Sequence, residues 1–499
     1  MNLATILEPH PATATAIISR GVTYEYGELR SQVASMRGAL DGLGLGKGDR
    51  VALLSGNTIE FVISYFACLG RGIVCVPLNP TAPAPELQRE LSVVGARAVV
   101  VAPSAVSGWS SVDRAALPNL VHVIAATGDL ADALRFNDLV THAPAPIVEL
   151  EADHLAIMLF TSGTAGSPKA AMLSHGNLRS NLDQLSQVRK LDGTDVVYGV
   201  LPLFHIFGLN VVLAYSLMRG SSIVLIERFD PMTAVETIRD RKVTLIPGAP
   251  PLWMAFEQMP NLPKDTFASV RTALTGASKM PEHTTHSLHE RFGLLVTEGY
   301  GLTECSPVVT TTTDVDRETA LAKIGSIGRV LPGVEVRVVD ENGDNVLRGD
   351  SGEIWVRGPN VFRGYFEDAQ ATARALTADG WLRTGDVAVV DEDGFLYLVD
   401  RAKDLIIVSG FNVYPAEVEE AILEHGAVAQ AAVVGVEHPH TGEAVRAYVV
   451  LRAGQALDED ALIDHCRSRL ARYKCPTKVL FVPQLPVGGT GKVLRRALR

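Results

Sequence analysis

Apolar and polar positions alternate in blocks along the first part of the chain. Arg50-Val51-Ala52-Leu53-Leu54 is a short apolar run. Gly56 and Asn57 then open a helical pattern that reaches about Gly70, and Ile73-Val74-Cys75-Val76-Pro77 is a second apolar run. An apolar run, a helix and another apolar run form a βαβ unit with parallel strands covered on both faces. The theme recurs at residues 98–101 and 222–226. Residues 243–246 begin another unit, with a helix from about Pro250 to Met259. This patterning predicts an α/β architecture, with helices packed on largely parallel sheets.

From about Gly325 the texture changes. Residues 334–339, 352–357 and 387–390 are short apolar or alternating strands, separated by turns such as Glu341-Asn342-Gly343-Asp344 and Asp391-Glu392-Asp393-Gly394. That is antiparallel, hairpin-rich sheet. After Asp400, helices at 415–425 and 458–473 alternate with strands at 429–436 and 445–451. The division predicts a large N-terminal domain, residues 1–400, made of stacked α/β sheets and a small antiparallel β subdomain. A small α+β domain, residues 401–499, follows.

Composition agrees with a multidomain globular protein. The chain has 499 residues, 47% of them hydrophobic and 20% charged, which is enough for two or three cores. The net charge of −11 offers no general attraction for nucleic acid. Charge is uneven, however. Residues 401–499 hold 13 basic and 11 acidic side chains, and beyond Asp464 all charged residues are basic. Such a tail would attract a mobile anion. The five cysteines show no metal-ligand spacing and are expected to be reduced thiols. The start of the chain resembles no secretory signal, and the best membrane candidate, residues 61–69, is far shorter than the roughly 20 apolar residues of a span. A cytoplasmic location is therefore expected. Peripheral membrane contact stays open, although no amphipathic basic helix stands out.

Two glycine-rich stretches carry candidate chemistry. Thr161-Ser162-Gly163-Thr164-Ala165-Gly166-Ser167-Pro168-Lys169 follows a strand-like run. Small residues let backbone N–H groups crowd an anion, hydroxyls donate further bonds, and a lysine adds charge. Gly488-Gly489-Thr490-Gly491-Lys492 lies near the end of the chain. Neither has the spacing of a Walker A loop.

These stretches and others resemble, in order, the motifs of the adenylate-forming superfamily of acyl-CoA synthetases, aryl-CoA ligases, adenylation domains and luciferases. The first is similar to T-S-G-T-T-G-x-P-K-G, with Ala165 and Ala170 as departures. Gly299-Tyr300-Gly301-Leu302-Thr303-Glu304 resembles the Y-G-x-T-E core, and Trp381-Leu382-Arg383-Thr384-Gly385-Asp386 the T-G-D motif. Asp400-Arg401-Ala402-Lys403-Asp404 with Ser409-Gly410-Phe411-Asn412 resembles the hinge region, and Gly489-Thr490-Gly491-Lys492 the terminal lysine motif. The likeness spans essentially the whole chain.

The resemblance implies ATP, Mg²⁺ and coenzyme A as cosubstrates and assigns roles. Thr161, Ser162, Gly163, Thr164, Gly166 and Lys169 would cradle the β- and γ-phosphates. Glu304 would bind Mg²⁺, and Thr303 a phosphate. Gly276, Ala277 and Ser278 would flank the purine, with Tyr300 stacked on it between Gly299 and Gly301. Asp386 would hold the ribose hydroxyls with Arg401 nearby. Lys492 would bridge acid and α-phosphate. Rotation of a mobile C-terminal domain about Lys403 would then bring Gly410 to the pantetheine channel. Arg472, Tyr473, Lys474 and Lys478 form a basic patch that could meet CoA phosphates.

Pro202-Leu203-Phe204-His205-Ile206-Phe207-Gly208 resembles the acid-pocket wall and places His205 at the acid's entry. The predicted pocket positions Leu209, Trp253, Gly299, Gly301, Leu302, Cys305 and Val308 include no basic residue. That disfavours dicarboxylates and amino acids and points to a medium- or long-chain fatty acid. Aryl acids stay open, because apolar pockets accept rings as readily as chains. Two alternatives are transfer to a carrier-protein phosphopantetheine and an aryl- or cinnamate-type CoA ligase. A third, a nucleotide-binding module without catalysis, has only Ala165 and Ala170 in its favour.

Overall fold

The computed structural model describes residues 1–126, 130–161, 169–277, 280, 282–340, 342–401, 406–413, 415–486 and 498. Four sheets organise them.

The first sheet has seven strands. Its spatial order is Leu134–Arg135, His122–Ala125, Ala98–Val101, Arg50–Leu54, Val74–Leu78, Leu155–Thr161 and Lys169–Ser174. Every pairing is parallel except the last, a hairpin. The predicted βαβ unit is present. Its helix, Ile59–Arg71, starts at Thr58, whose hydroxyl accepts the Phe61 N–H, and stops at Gly72 with φ +75°. Only glycine adopts that left-handed cap without penalty. The apolar run 61–69 lies inside this helix, and each of its residues is buried. It is core, as a helix apolar on every side should be. Among the described residues no helix is long and apolar enough to cross a membrane.

The second sheet has nine strands and a parallel centre: Ser222–Leu225, Val196–Gly199, Leu245–Gly248, Thr272–Thr275 and Val296–Gly301. Asn57 ties the first sheet to it. Its amide donates to the Gly199 and Leu201 carbonyls at 3.0 Å, and its carbonyl accepts the Leu203 N–H at 2.9 Å. Those bonds set the path of the segment that carries His205.

The predicted hairpin region is a four-stranded antiparallel sheet, Glu335–Val339, Gly352–Arg357, Leu382–Val390 and Leu396–Arg401. The last part of the chain forms a five-stranded sheet with its own core, around Val418, Ile422, Val433, Ala447 and Leu462. Lys403, the predicted hinge, lies outside the described residues. One expectation fails here. The helix expected over 458–473 ends at Arg467, and a separate turn, Arg472–Lys474, follows. The reason is tertiary: the Ala471 N–H donates to Glu86 Oε2 at 2.7 Å, which takes it out of any helical ladder.

Candidate active site

One cavity of about 900 Å³ opens where the sheets meet. Its first wall is the hairpin Leu155–Thr161 and Lys169–Ser174. Thr161 pairs with Lys169 across it, and the Thr161 hydroxyl donates to the Lys169 carbonyl at 3.4 Å. Ser162, Gly163, Thr164 and Gly166 lie outside the described residues.

Residues 360–366 lock the next wall to that hairpin. Phe366 N–H donates to Ala170 O at 2.8 Å, and Met172 N–H to Gly364 O at 2.9 Å. On the other side the Asn360 amide donates to the Cys305 carbonyl at 2.9 Å, and Phe362 N–H to the Glu304 carbonyl at 2.8 Å. Tyr365 is thereby held between two functional groups. Its hydroxyl donates to Glu304 Oε1 at 2.7 Å, and the Lys169 ammonium lies 5.3 Å from its ring centre. Burial raises the Glu304 pKa above the usual carboxylate value, while the Tyr365 bond and the Lys169 charge pull it back down. A cavity-lining carboxylate that burial favours in its neutral form is suited to a cation that restores its charge. The donor set therefore fits a hard ion such as Mg²⁺.

The strand Val296–Gly301 delivers Gly299, Tyr300 and Gly301 to the cavity, and Thr303 and Glu304 follow in a tight turn. The Tyr300 hydroxyl donates to Asp386 Oδ2 at 2.7 Å. Burial, then the Asp386 charge, lifts the Tyr300 phenol well above its ordinary pKa. Asp386 N–H donates to the Thr384 hydroxyl at 3.1 Å, and Gly385 N–H to Glu353 Oε1 at 2.8 Å, so the T-G-D turn is held from both sides. Arg401 pairs with Asp386 in strand register. Gly276 leaves space that a Cβ would take, 3.0 Å from the Phe207 ring and 3.2 Å from the Gly299 carbonyl. Ala277 next to it has φ +70°, a conformation that persists only where the surroundings impose it. Ser278 lies outside the described residues.

His205 sits at the cavity wall, edge-on to Phe411 with ring centres 6.3 Å apart. Burial lowers its pKa to about 4, so the ring is neutral near pH 7. Its Nδ1 accepts the Phe207 N–H at 3.3 Å, which assigns the proton to Nε2 and makes that nitrogen a donor.

The C-terminal part closes the cavity. Gly410 has φ +84°, and a Cβ there would meet Ala249 Cβ at 3.2 Å and Ala277 Cβ at 3.4 Å. Phe411 stacks on Tyr473 with centres 4.4 Å apart. The predicted basic patch is not one. Lys474 is buried, with Nζ 2.8 Å from Glu86 Oε1 and 2.9 Å from Glu417 Oε1, and Lys478 pairs with Glu459 at 2.8 Å. Lys492 lies outside the described residues.

The acid-pocket expectation needs correction as well. Leu209, Trp253 and Cys305 are core residues and do not line the cavity, whereas Gly299, Gly301, Leu302 and Val308 do. Leu185, Phe207, Val211 and Leu274 complete the apolar wall, and one basic residue, Arg189, lies among them. Sequence reasoning missed Tyr365 and Arg189. Neither stands in a motif, and each reaches the cavity only through tertiary packing.

Family comparison now meets this geometry. The AMP-binding enzyme model matches residues 4–366, and the AMP-binding enzyme C-terminal domain model matches residues 417–492. The chain belongs to the AMP-binding enzyme family. A feruloyl-CoA synthase of Amycolatopsis is 36% identical over 99% of this chain and 96% of that one. A long-chain-fatty-acid–CoA ligase of Bacillus subtilis is 33% identical, over 97% and 91% respectively. Among solved structures, an amide bond synthetase of Marinactinospora thermotolerans matches with a TM-score of 0.90, 31% identity and coverage of 100% and 99%. The B. subtilis o-succinylbenzoate CoA synthetase matches with a TM-score of 0.87, 30% identity and coverage of 100% and 98%. The expected ATP, Mg²⁺ and CoA agree with membership of this AMP-binding enzyme in such a group.

Proposed function

We propose that this AMP-binding enzyme is an acid–CoA ligase that activates a carboxylic acid as its acyl-adenylate, releases pyrophosphate, and passes the acyl group to CoA. One observation supports it most. Glu304 with Tyr365 and Lys169, Tyr300 with Asp386, and an apolar wall all open into a single cavity. The similarity to CoA ligases over nearly the full chain supports the same reading.

Activation brings a carboxylate against a phosphate, so cations and fixed dipoles must supply most of the stabilisation. Lys169 and Thr161, with the loop between them, hold the terminal phosphates, and Thr303 donates to one of them. Glu304 would hold Mg²⁺, and that ion would supply charge neutralisation at the phosphates. Asp386 takes the ribose hydroxyls, and Tyr300 and Gly276 bound the purine site. Neutral His205 offers its Nε2 proton to the acid's carboxylate. Lys492 joins the acid and the α-phosphate. We place the domain boundary at 400–401 and the pivot at Lys403. Gly410 and Phe411 already line the cavity in this structure, where they would meet the thiol, and rotation about Lys403 would exchange this arrangement for the one that presents Lys492.

The wall of Leu185, Phe207, Val211, Leu274 and Val308 accepts a chain or a ring. The test is pyrophosphate release and CoA-thioester formation from a panel of fatty, aryl and dicarboxylic acids, with Lys492→Ala alongside. Thioester formation by the parent, with at least a ~100-fold loss of pyrophosphate release in the variant, is expected. Pyrophosphate without thioester would move the acceptor from CoA to a carrier protein or an amine.

A further inference from the structure

Arg189 follows the helix His175–Val188, and its backbone N–H still donates to the Leu185 carbonyl at 2.8 Å. The Tyr215 hydroxyl donates to the Arg189 carbonyl. These bonds turn the side chain inward, where the residue is only 8% exposed. Its Nε and Nη1 are buried and have no hydrogen-bond partner among the described residues. Leu185, Val211 and Val308 line the same cavity. Burial lowers the guanidinium pKa to about 10, which leaves it cationic at neutral pH. Tyr215, the neighbour that acts on it besides burial, is a protonated phenol that donates to the Arg189 carbonyl and carries no charge. Arg189 is not among the groups that act most strongly on Glu304, and it lines the same cavity.

A buried cation with bare N–H groups is strongly disfavoured unless something pairs with it. Elsewhere in this chain the arginines that pair with acids do so near the surface, as Arg20 does with Glu227. Among the described residues Arg189 has no such partner, and it lines a cavity sized for a substrate. Planar guanidinium donors match a carboxylate better than any other common group.

We propose that Arg189 binds a second carboxylate on the acid substrate, so that the enzyme prefers acids carrying a distal carboxylate to their methyl-terminated counterparts. This rests on the ligase reading above. It reverses the expectation that dicarboxylates are disfavoured, because Arg189 lines the pocket. The apolar residues that line the cavity with Arg189 accommodate the body of the acid, chain or ring.

The experiment compares matched acids: a series of straight-chain monoacids with the diacids of equal length, and p-toluate with terephthalate. In the wild-type enzyme the best diacid should exceed its monoacid partner by at least about 100-fold in kcat/KM for pyrophosphate release. Sites built around a buried polar group discriminate on that scale or more. Arg189→Met, close in shape and uncharged, should reduce the ratio to about 10-fold or less, and Arg189→Lys should keep part of it, because an ammonium lacks the fork. Thermal shift gives a readout independent of turnover: diacids should raise the Tm of the wild type and not that of Arg189→Met. Equal rates for methyl-terminated acids and diacids would overturn the inference and leave the ligase reading standing, as would a ratio unmoved in Arg189→Met. No pyrophosphate from any acid would instead sink the ligase reading, and the diacid-dependent Tm shift would then decide the binding role of Arg189 by itself. The wild-type comparison stands even if a variant fails to fold.

Discussion

Glu304→Gln should lower the rate of acid activation by about 100- to 1,000-fold, the range found when one electrostatic stabiliser of a transition state is removed. Glutamine keeps the shape and still accepts the Tyr365 O–H, found at 2.7 Å in the parent. It lacks the charge that a hard cation requires. The loss should therefore show mainly as weaker Mg²⁺ dependence, not as unfolding. Glutamine also ends the burial penalty on a carboxylate, so the variant's Tm should be equal to or above that of the parent. ATP–pyrophosphate exchange titrated with Mg²⁺ measures this. Full activity at the parent's Mg²⁺ concentration would remove Glu304 from the metal site. Tyr365→Phe is the graded control, with a smaller loss because the carboxylate keeps its charge and loses only its orientation.

Lys474→Met should separate the two parts of the chain. Glu86 and Glu90 lie on the helix Ala84–Val94, Glu417 opens the helix Pro415–Leu423, and Lys474 stands in the turn that bridges them. Arg89, Tyr473 and Cys475 also act on the cluster. Removing one partner of a buried pair costs about 3–5 kcal/mol, because the charges left behind have no counterpart. Here Glu86 and Glu417 would remain beside the Glu90 carboxyl, and among the described residues one oxygen of Glu417 already lacks a hydrogen bond. The thioester-forming step, which needs Gly410 and Phe411 against the cavity, should fall by at least about 100-fold, at roughly 1.4 kcal/mol per decade. ATP–pyrophosphate exchange should change far less. Equal losses in both half-reactions would mean that Lys474 only supports folding.

The same cluster predicts a pH effect. Burial, then Glu86, pushes the Glu90 carboxyl up to about 8, with Lys474 opposing. An unfolded glutamate titrates near 4.3. Between those values the folded state holds a proton that the unfolded state has lost. This stabilisation is complete below the unfolded value and is lost as pH rises through about 8. Thioester formation should accordingly weaken from pH 7 to pH 9 relative to adenylation, and Glu90→Gln should flatten that ratio. A ratio already flat in the parent would show that the Glu90 proton plays no part in the contact.

Much of this protein was legible in its residues. The βαβ blocks around residues 50–78 and the hairpins at 352–357 and 387–390 are read from local spacing, because alternation of apolar and polar positions directly encodes which faces are covered. The ordered motifs named Thr161, Lys169, Glu304 and Asp386, and all of them reach one cavity. Backbone chemistry near a ligand depends on short contiguous stretches, which a sequence displays. Charge pairing was not legible. Lys474 and Glu86 are separated by 388 positions, and nothing local marks either as buried. The run Arg472, Lys474 and Lys478 looks like a solvated basic patch until packing places two of the three in ion pairs.

The sequence by itself determined the layered α/β class, the order of the motifs and the family's chemistry, since each follows from residues near one another in the chain. Only the tertiary structure decided which side chains wall the cavity. It set Leu209, Trp253 and Cys305 into the core and turned Arg189 inward among apolar neighbours. The physical reason is that burial and electrostatic partnership are properties of the space around a side chain, and that space is assembled from strands and helices far apart in sequence.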